Sequence, residues 1–438
     1  MYRYTIEALK EWKNKTNRKP VVIRGARQTG KTWLMKEFGH TCYKQYAYIN
    51  FDNNQRMKAL FQSDYDVNRI LQGLQVEAGC SIIPEETLVI FDEIQEVPSA
   101  LTSLKYFYEN APEFHIIAAG SLLGVSMHPG TSFPVGKVEF INLFPLSFSE
   151  FLLATGNEPI VKIIDQLNFS LLKVFSTKLI DLLKSYYVIG GMPEVVQQYT
   201  RNHDFTEVQF IQSQLLEAYE QDFSKHAPAV IVPRIRDVWN SLPAQLAREN
   251  KKFVFRLVKK GARAREYELA IQWLLDSGLL NKISRITKPG IPLTAYRDRT
   301  AFKLYALDTG LLCRMSQLDP KSILQGNSLF MEFKGALTKQ FVLQQLKTSM
   351  SQEPFYWSAD NSSGEIDFII QINGTVLPLE VKASENLQAK SLKSYCKRYS
   401  PEKAYRTSLA GYREEDWLTN IPLYAIHSFK KIVEQNKY

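Results

Sequence analysis

The octapeptide GARQTGKT, residues 25–32, restricts the fold more than any other stretch of the 438-residue chain. It follows the pattern G-x-x-x-x-G-K-[ST], whose glycines let backbone N–H groups turn toward a phosphate. Such a loop works between a buried strand and a helix, because the helix N-terminus adds a dipole that favours an anion. Both flanks fit. PVVIRG (20–25) is apolar and β-branched, as a buried strand requires. TWLMKEFG (32–39) is rich in helix formers, and Gly39 reads as the helix stop. The spacing therefore predicts a cradle of Gly25, Ala26, Arg27, Gln28, Thr29 and Gly30. Lys31 is expected to reach the β- and γ-phosphates of ATP, and the Thr32 hydroxyl to ligate magnesium.

A second half of the site is expected downstream. LVIFDEIQ (88–95) is an apolar strand that ends in two acids. Asp92 is placed to hold the magnesium shell at the C-terminal end of that strand, where ligands sit in open α/β sheets. Glu93 follows and is the candidate to polarise an attacking water. HIIAAGS (115–121) is a further apolar strand, and its Ser121 is a candidate γ-phosphate sensor. YAYINF (46–51) and VEFINLF (138–144) complete five strands. Strands alternating with helical stretches imply an α/β fold with a parallel, doubly covered sheet.

Charge is distributed unevenly. Thirteen Lys and Arg stand against four Asp and Glu between Lys251 and Lys303, so this one segment carries the whole net charge of +9. A local excess of that kind suits a polyanion, nucleic acid above all, or forms a solvated basic face. The four cysteines are far apart and the six histidines scattered, so neither a disulfide framework nor a metal cluster of those residues is expected. No apolar run is long enough for a membrane span, and the first fifteen residues lack the apolar core of a signal peptide. A cytoplasmic chain with no membrane association is the expectation.

RGARQTGKTWLMKEF, VIFDEIQ, AAGSLLG, FPVGKVEFINLFPLSFSEF and YYVIGGMPEVVQQY occur in that order. This series resembles the prokaryotic AAA-superfamily ATP-binding proteins that carry a C-terminal domain of unknown function. The resemblance implies an AAA-type P-loop ATPase core, ATP and magnesium as cofactors, and an assembly open to homo-oligomers. In many such relatives the basic residue of FPVGKVEF is Arg; here it is Lys137, a point charge without bidentate geometry.

From about Phe148 to Asp237 apolar residues recur at helical steps, which reads as a lid and a linker. YELAIQWLLDSGLL (267–280) puts Tyr267, Ala270, Ile271, Leu274 and Leu275 on one helical face, with Gly278 as the stop. Two strands follow, joined by a turn at Pro289 and Gly290, in the outline of a winged helix. Lys259, Lys260, Arg263 and Arg265 precede that helix, where phosphate contacts would position it on DNA; a protein-binding adaptor is the alternative.

GEIDFII (364–370) and LPLEVKAS (377–384) are two apolar strands joined by an NGT turn. Asp367 stands in the first; Glu380 and Lys382 project on one face of the second. This D…ExK set resembles the PD-(D/E)xK nuclease superfamily, which implies a second, divalent metal site at Asp367, Glu380 and Lys382. In that superfamily the preceding helix often adds a Glu, but Lys339 occupies the place and Glu332 lies seven residues earlier; a nuclease fold that binds DNA or protein without cutting is the alternative.

Four segments are therefore expected: an ATPase core (1–147), a helical lid and linker (148–237), a basic winged-helix-like module (238–320) and a nuclease-like α/β domain (321–438). Three functions fit them: a magnesium-dependent ATPase acting on nucleic acid, an ATP-gated metal-dependent nuclease, and a non-catalytic nucleotide-sensing adaptor.

Overall fold

The computed structural model describes residues 1–120, 134–248, 252–325, 331–359, 364–384 and 389–435, with the backbone alone at 331 and 332. Two compact units result. One comprises Tyr2–Phe144 with Asp276–Gly278; the other comprises Pro145–Leu275 and Leu279–Tyr438, together with Met1.

In the first unit the elements run α1 (Thr5–Lys13), β1 (Val21–Arg24), α2 (Lys31–Cys42), β2 (Gln45–Asn50), α3 (Gln55–Ser63), α4 (Val67–Ala78), β3 (Thr87–Asp92), α5 (Pro98–Asn110), β4 (His115–Gly120) and β5 (Glu139–Asn142). The five strands form one parallel sheet in the order β2-β3-β4-β1-β5. Alternate side chains point to opposite faces. Val21, Ile23, Leu88, Ile90, Ile117 and Ala119 pack with Leu9 and Trp12 of α1 and Leu34, Met35 and Phe38 of α2. On the other face Val22, Ile49, Val89, Phe91 and Ala118 meet Phe61 of α3, Leu74 of α4 and Leu104 and Phe107 of α5. A parallel sheet buried on both faces must be apolar throughout, which is why β3 and β4 read as continuous hydrophobic runs.

The five expected strands all form. Gly39 does not end its helix: α2 continues to Cys42. A Cβ at Gly39 would come within 2.8 Å of the Tyr46 side chain, so the glycine lets α2 approach β2 closely.

The second unit begins with a helical run: α6 (Phe148–Ala154), α7 (Glu158–Asp165), α8 (Phe169–Val174), α9 (Ser176–Ile189), α10 (Pro193–Asn202), α11 (Phe205–His226), α12 (Val232–Ala247), α13 (Phe255–Val258) and α14 (Ala264–Asp276). There follow β6 (Leu280–Ile286), β7 (Arg297–Ala306), α15 (Thr309–Met315), α16 (Pro320–Leu324), α17 (Met331–Ser349), β8 (Phe355–Ser358), β9 (Glu365–Ile372), β10 (Thr375–Val381), α18 (Lys390–Tyr399), β11 (Ala404–Ser408), β12 (Arg413–Glu414), β13 (Leu418–Pro422) and α19 (Phe429–Gln435). The strands form a mixed eight-stranded sheet in the order β12-β13-β11-β10-β9-β8-β6-β7.

One expected boundary falls inside a helix, and one expected motif joins a larger sheet. The 237/238 boundary lies within α12, whose buried residues Ile235, Val238, Trp239, Leu242 and Leu246 keep one helical stripe across it. The basic excess begins only at Lys251, and the buried stripe does not break at the boundary. The second difference concerns the expected wing. β6 and β7 do pair antiparallel, yet β6 also pairs in parallel with β8 through Arg285 and Ile286. The ribbon is thus the edge of the large sheet, and Ile286 shares a core with Trp357, Ile366 and Leu392. In α14 the buried face is Tyr267, Ala270, Ile271, Trp273 and Leu274; Leu275 lies at its margin.

Candidate functional site

All of the predicted nucleotide residues except Ser121 lie in the first unit's described residues, along the C-terminal edge of its sheet; Ser121 lies outside the described residues. The loop leaves β1 after Arg24 and enters α2 at Lys31. Two contacts hold it from behind. A Cβ at Gly25 would meet the Leu143 carbonyl oxygen at 2.3 Å, so this position requires glycine. Arg3, 3% exposed, donates from Nη1 to the Thr29 carbonyl at 3.0 Å and from Nη2 to the Phe144 carbonyl at 2.5 Å. The Thr29 hydroxyl donates to the Ala26 carbonyl at 2.9 Å.

Lys31 is buried, and its ammonium donates to the carbonyls of Gly25 at 2.9 Å and Ala26 at 2.8 Å. Burial lowers its pKa to about 8, against the pull of Glu93 and Asp92; Arg27 lowers it further. Asp92, at the end of β3, accepts from the Thr32 hydroxyl at 2.7 Å and from the Tyr48 hydroxyl at 2.9 Å on the same oxygen, Oδ2. Its Oδ1 accepts from the Glu93 amide at 3.1 Å. Glu93 Oε2 in turn accepts from Gln95 Nε2 at 2.6 Å. Gln28 and Glu93 both adopt left-handed backbone, with φ of 64° and 51°. Non-glycine residues hold that conformation at a cost, and such positions cluster at functional sites.

The arrangement joins a cation, a helix N-terminus and a hydroxyl–carboxylate oxygen pair 2.7 Å apart. Phosphate suits the first two, and a small hard cation suits the third. Thr32 and Asp92 therefore fit a magnesium ion carried with ATP. Two contributors escaped sequence reading. Arg3 lies 26 residues before Thr29, and Tyr48 belongs to a strand read only as a hydrophobic run. The register that pairs Asn50 with Asp92 puts Tyr48 within reach of the same carboxylate.

Lys137 is placed elsewhere. It precedes β5, whose Glu139 pairs with Val21 at the start of β1, so it lies at the sheet edge opposite the loop. Its ammonium pairs with Glu109 at 2.9 Å. Its distance from the loop follows from the topology: a parallel sheet sends strand starts and strand ends to opposite edges.

In the second unit β9 and β10 form the expected hairpin through Asn373 and Gly374, with Ile372 paired to Thr375. Asp367, Glu380 and Lys382 come together. Asp367 Oδ2 accepts from the Val381 amide at 2.8 Å, and its Oδ1 lies 2.9 Å from Lys339 Nζ. Burial raises the Asp367 pKa, but Lys339, Lys303 and the Val381 amide outweigh it and the net shift is downward. Glu380 pairs with Lys382 at 3.0 Å, and burial nonetheless raises its pKa. The Glu332 side chain lies outside the described residues; its position on α17 is two turns, about 10 Å along the axis, from Lys339.

The basic segment divides in two. Lys259, Lys260, Arg263 and Arg265 are exposed at the start of α14 and in the loop before it. Arg285, Arg297 and Lys303 instead pair with Asp298, Glu353 and Glu365. Lys251 lies outside the described residues. Among the described residues no helix is long and apolar enough to cross a membrane.

Residues 17–152 match a family described as AAA domain. Residues 180–322 and 334–426 match two domains of unknown function, DUF8612 and DUF4143. The uncharacterized proteins Mb2031c of Mycobacterium bovis and Rv2008c of Mycobacterium tuberculosis are each 22% identical over 381 residues, covering 84% of this chain and 71% of theirs. Among solved structures, the Walker-type ATPase PABY2304 of Pyrococcus abyssi is 15% identical with a TM-score of 0.44, covering 71% of this chain and 94% of that one. The Aeropyrum pernix Orc1 protein in complex with DNA is 10% identical with a TM-score of 0.26, covering 72% and 90%. The family match and the parallel sheet with its loop identify an ATP-binding region of the P-loop, AAA type within this chain.

Proposed function

We propose that this chain is a magnesium-dependent ATPase that acts on nucleic acid. One observation carries the reading: Thr32 bonds to Asp92 at 2.7 Å while the adjacent Lys31 keeps its ammonium on neutral carbonyls of the loop. A triphosphate offers Lys31 a stronger, charged acceptor than those carbonyls. In this reading the amides of residues 25–32 bind the phosphates and Lys31 neutralises the β- and γ-oxygens. Thr32 and Asp92 hold magnesium, which supplies charge neutralisation at the transferring phosphoryl group. Glu93 orients the attacking water, and Gln95 fixes the Glu93 carboxylate. Arg3 and Tyr48 are positioning residues, one for the loop and one for Asp92.

The nucleic-acid part rests on Lys259, Lys260, Arg263 and Arg265, which are exposed and have no ion pair among the described residues. They are suited to phosphate contacts, which carry affinity without sequence preference.

Phosphate release by the purified full chain, with and without duplex DNA, tests both parts. Turnover lost in Glu93→Gln with ATP binding retained supports the assignment; turnover unaffected by that change removes it. For DNA, reversing the charge of Lys259 and Lys260 should lower the slope of log affinity against log salt by about 2. An unchanged slope takes the basic face out of the proposal.

A further inference from the structure

The buried acids of the large sheet are each met by an ammonium group. Lys303 lies 2.6 Å from Glu365, Lys339 2.9 Å from Asp367 and Lys382 3.0 Å from Glu380. Three carboxylates and three lysines leave the cluster formally neutral. A divalent cation needs several protein oxygens turned toward it. Asp367 has neither oxygen unengaged, since Oδ1 meets Lys339 and Oδ2 accepts the Val381 amide. Glu380 offers only Oε2, which is buried and has no hydrogen-bond partner. Among the described residues no group of three or more His, Cys, Asp and Glu is arranged to hold a metal. A metal placed beside Glu380 Oε2 would also face the neighbouring ammonium groups in a poorly solvated interior, where like charges repel strongly. The residues present therefore do not fit the divalent ion that the D…ExK pattern implies.

Lys339 decides the matter. It descends from α17 onto Asp367, and the pair is largely withdrawn from solvent, with side chains 17% and 8% exposed. We infer that Lys339 is a built-in cation: its ammonium takes the place of the divalent metal against Asp367, so that this nuclease-like cluster holds no metal and cuts no phosphodiester. The strands and the carboxylates are kept as a neutral, buried polar core, and any contact of this unit with DNA is binding without cleavage.

The test uses the full chain carrying Lys31→Ala, which separates this cluster from magnesium bound with nucleotide. Thermal melting is followed in millimolar manganese and in chelator. No shift is expected with Lys339 intact. Adding Lys339→Glu supplies a third acid in place of the cation, and manganese should then raise the melting temperature by about 4 °C. A folded Lys339→Glu chain that ignores manganese contradicts the assignment of Lys339. A manganese-dependent rise with Lys339 intact, lost in Glu380→Gln, overturns the proposal outright. Should Lys339→Glu fail to fold, that last comparison still decides. Plasmid nicking gives an independent readout: none is expected, and manganese-dependent nicking abolished by Glu380→Gln also overturns it.

Discussion

Lys31 and Lys339 are both helix-borne lysines withdrawn from solvent, yet they meet opposite kinds of acceptor. Lys31 donates to the carbonyls of Gly25 and Ala26, while the neighbouring acids are held by other groups: Asp92 by Thr32 and Tyr48, Glu93 by Gln95. Lys339 donates directly to Asp367, whose other oxygen takes a backbone amide. A carbonyl satisfies an ammonium without cancelling its charge, and burial then pulls the Lys31 pKa down to about 8. A carboxylate cancels the charge and closes the site. One cluster stays receptive to an anion because its cation and its carboxylates are kept on separate partners. The other has neutralised itself.

The comparison is broken most readily by removing each cation in turn. Lys339→Met leaves Asp367 buried without its directly bonded counter-charge and should cost about 3–5 kcal/mol of stability in urea melts. Lys31→Met removes a buried charge that Glu93 and Asp92 offset only in part, and should raise stability at pH 7 by about 1–2 kcal/mol while abolishing ATP binding. Equal losses in the two variants would erase the distinction. The sign also has a pH signature. Because the folded pKa of Lys31 is depressed, its unfavourable contribution is fully present below about pH 8 and fades as pH rises toward the ordinary lysine value. The wild type should therefore gain on Lys31→Met in alkaline solution.

A second pH effect belongs to the same unit and not to the large sheet. His115, at the start of β4, accepts or donates through Nδ1 to the Tyr43 hydroxyl at 2.7 Å, and burial beside Arg18 and Lys13 lowers its pKa to about 4. The unfolded chain binds this proton first, so stability is intact above pH 6.5 and is lost as pH falls toward 4, by about 2 kcal/mol. Urea melts across that range should flatten in His115→Gln. The smallest effect is expected at Tyr48. Removing its hydroxyl in Tyr48→Phe takes one of two side-chain donors from Asp92, which should cost about 1 kcal/mol and raise the KM for magnesium ATP several-fold.

Much of the candidate nucleotide site was legible in the sequence, because its parts are local. A strand, a loop and a helix start are contiguous, and the acidic end of β3 announces itself by its apolar run. The hairpin carrying Asp367 and Glu380 was legible for the same reason. What escaped was pairing at a distance. Nothing in the periodicity of LNKISRI shows that it joins β8 about seventy residues later, so the edge of the large sheet read as a free ribbon. Gly39 looked like a stop because a helix-ending glycine and a close-packing glycine are identical until Tyr46 is placed beside it. Lys339 was visible as a departure from an acidic position, but its partner became known only when α17 was laid over β9.

Thermal melting of the full chain with magnesium ATP, with magnesium alone, and in the Lys31→Ala background tests the central contrast most directly. Magnesium ATP should raise the melting temperature of the wild type but not of Lys31→Ala, and magnesium alone should raise neither. Millimolar magnesium ATP that leaves the wild type unmoved, or that stabilises Lys31→Ala equally, would contradict that contrast.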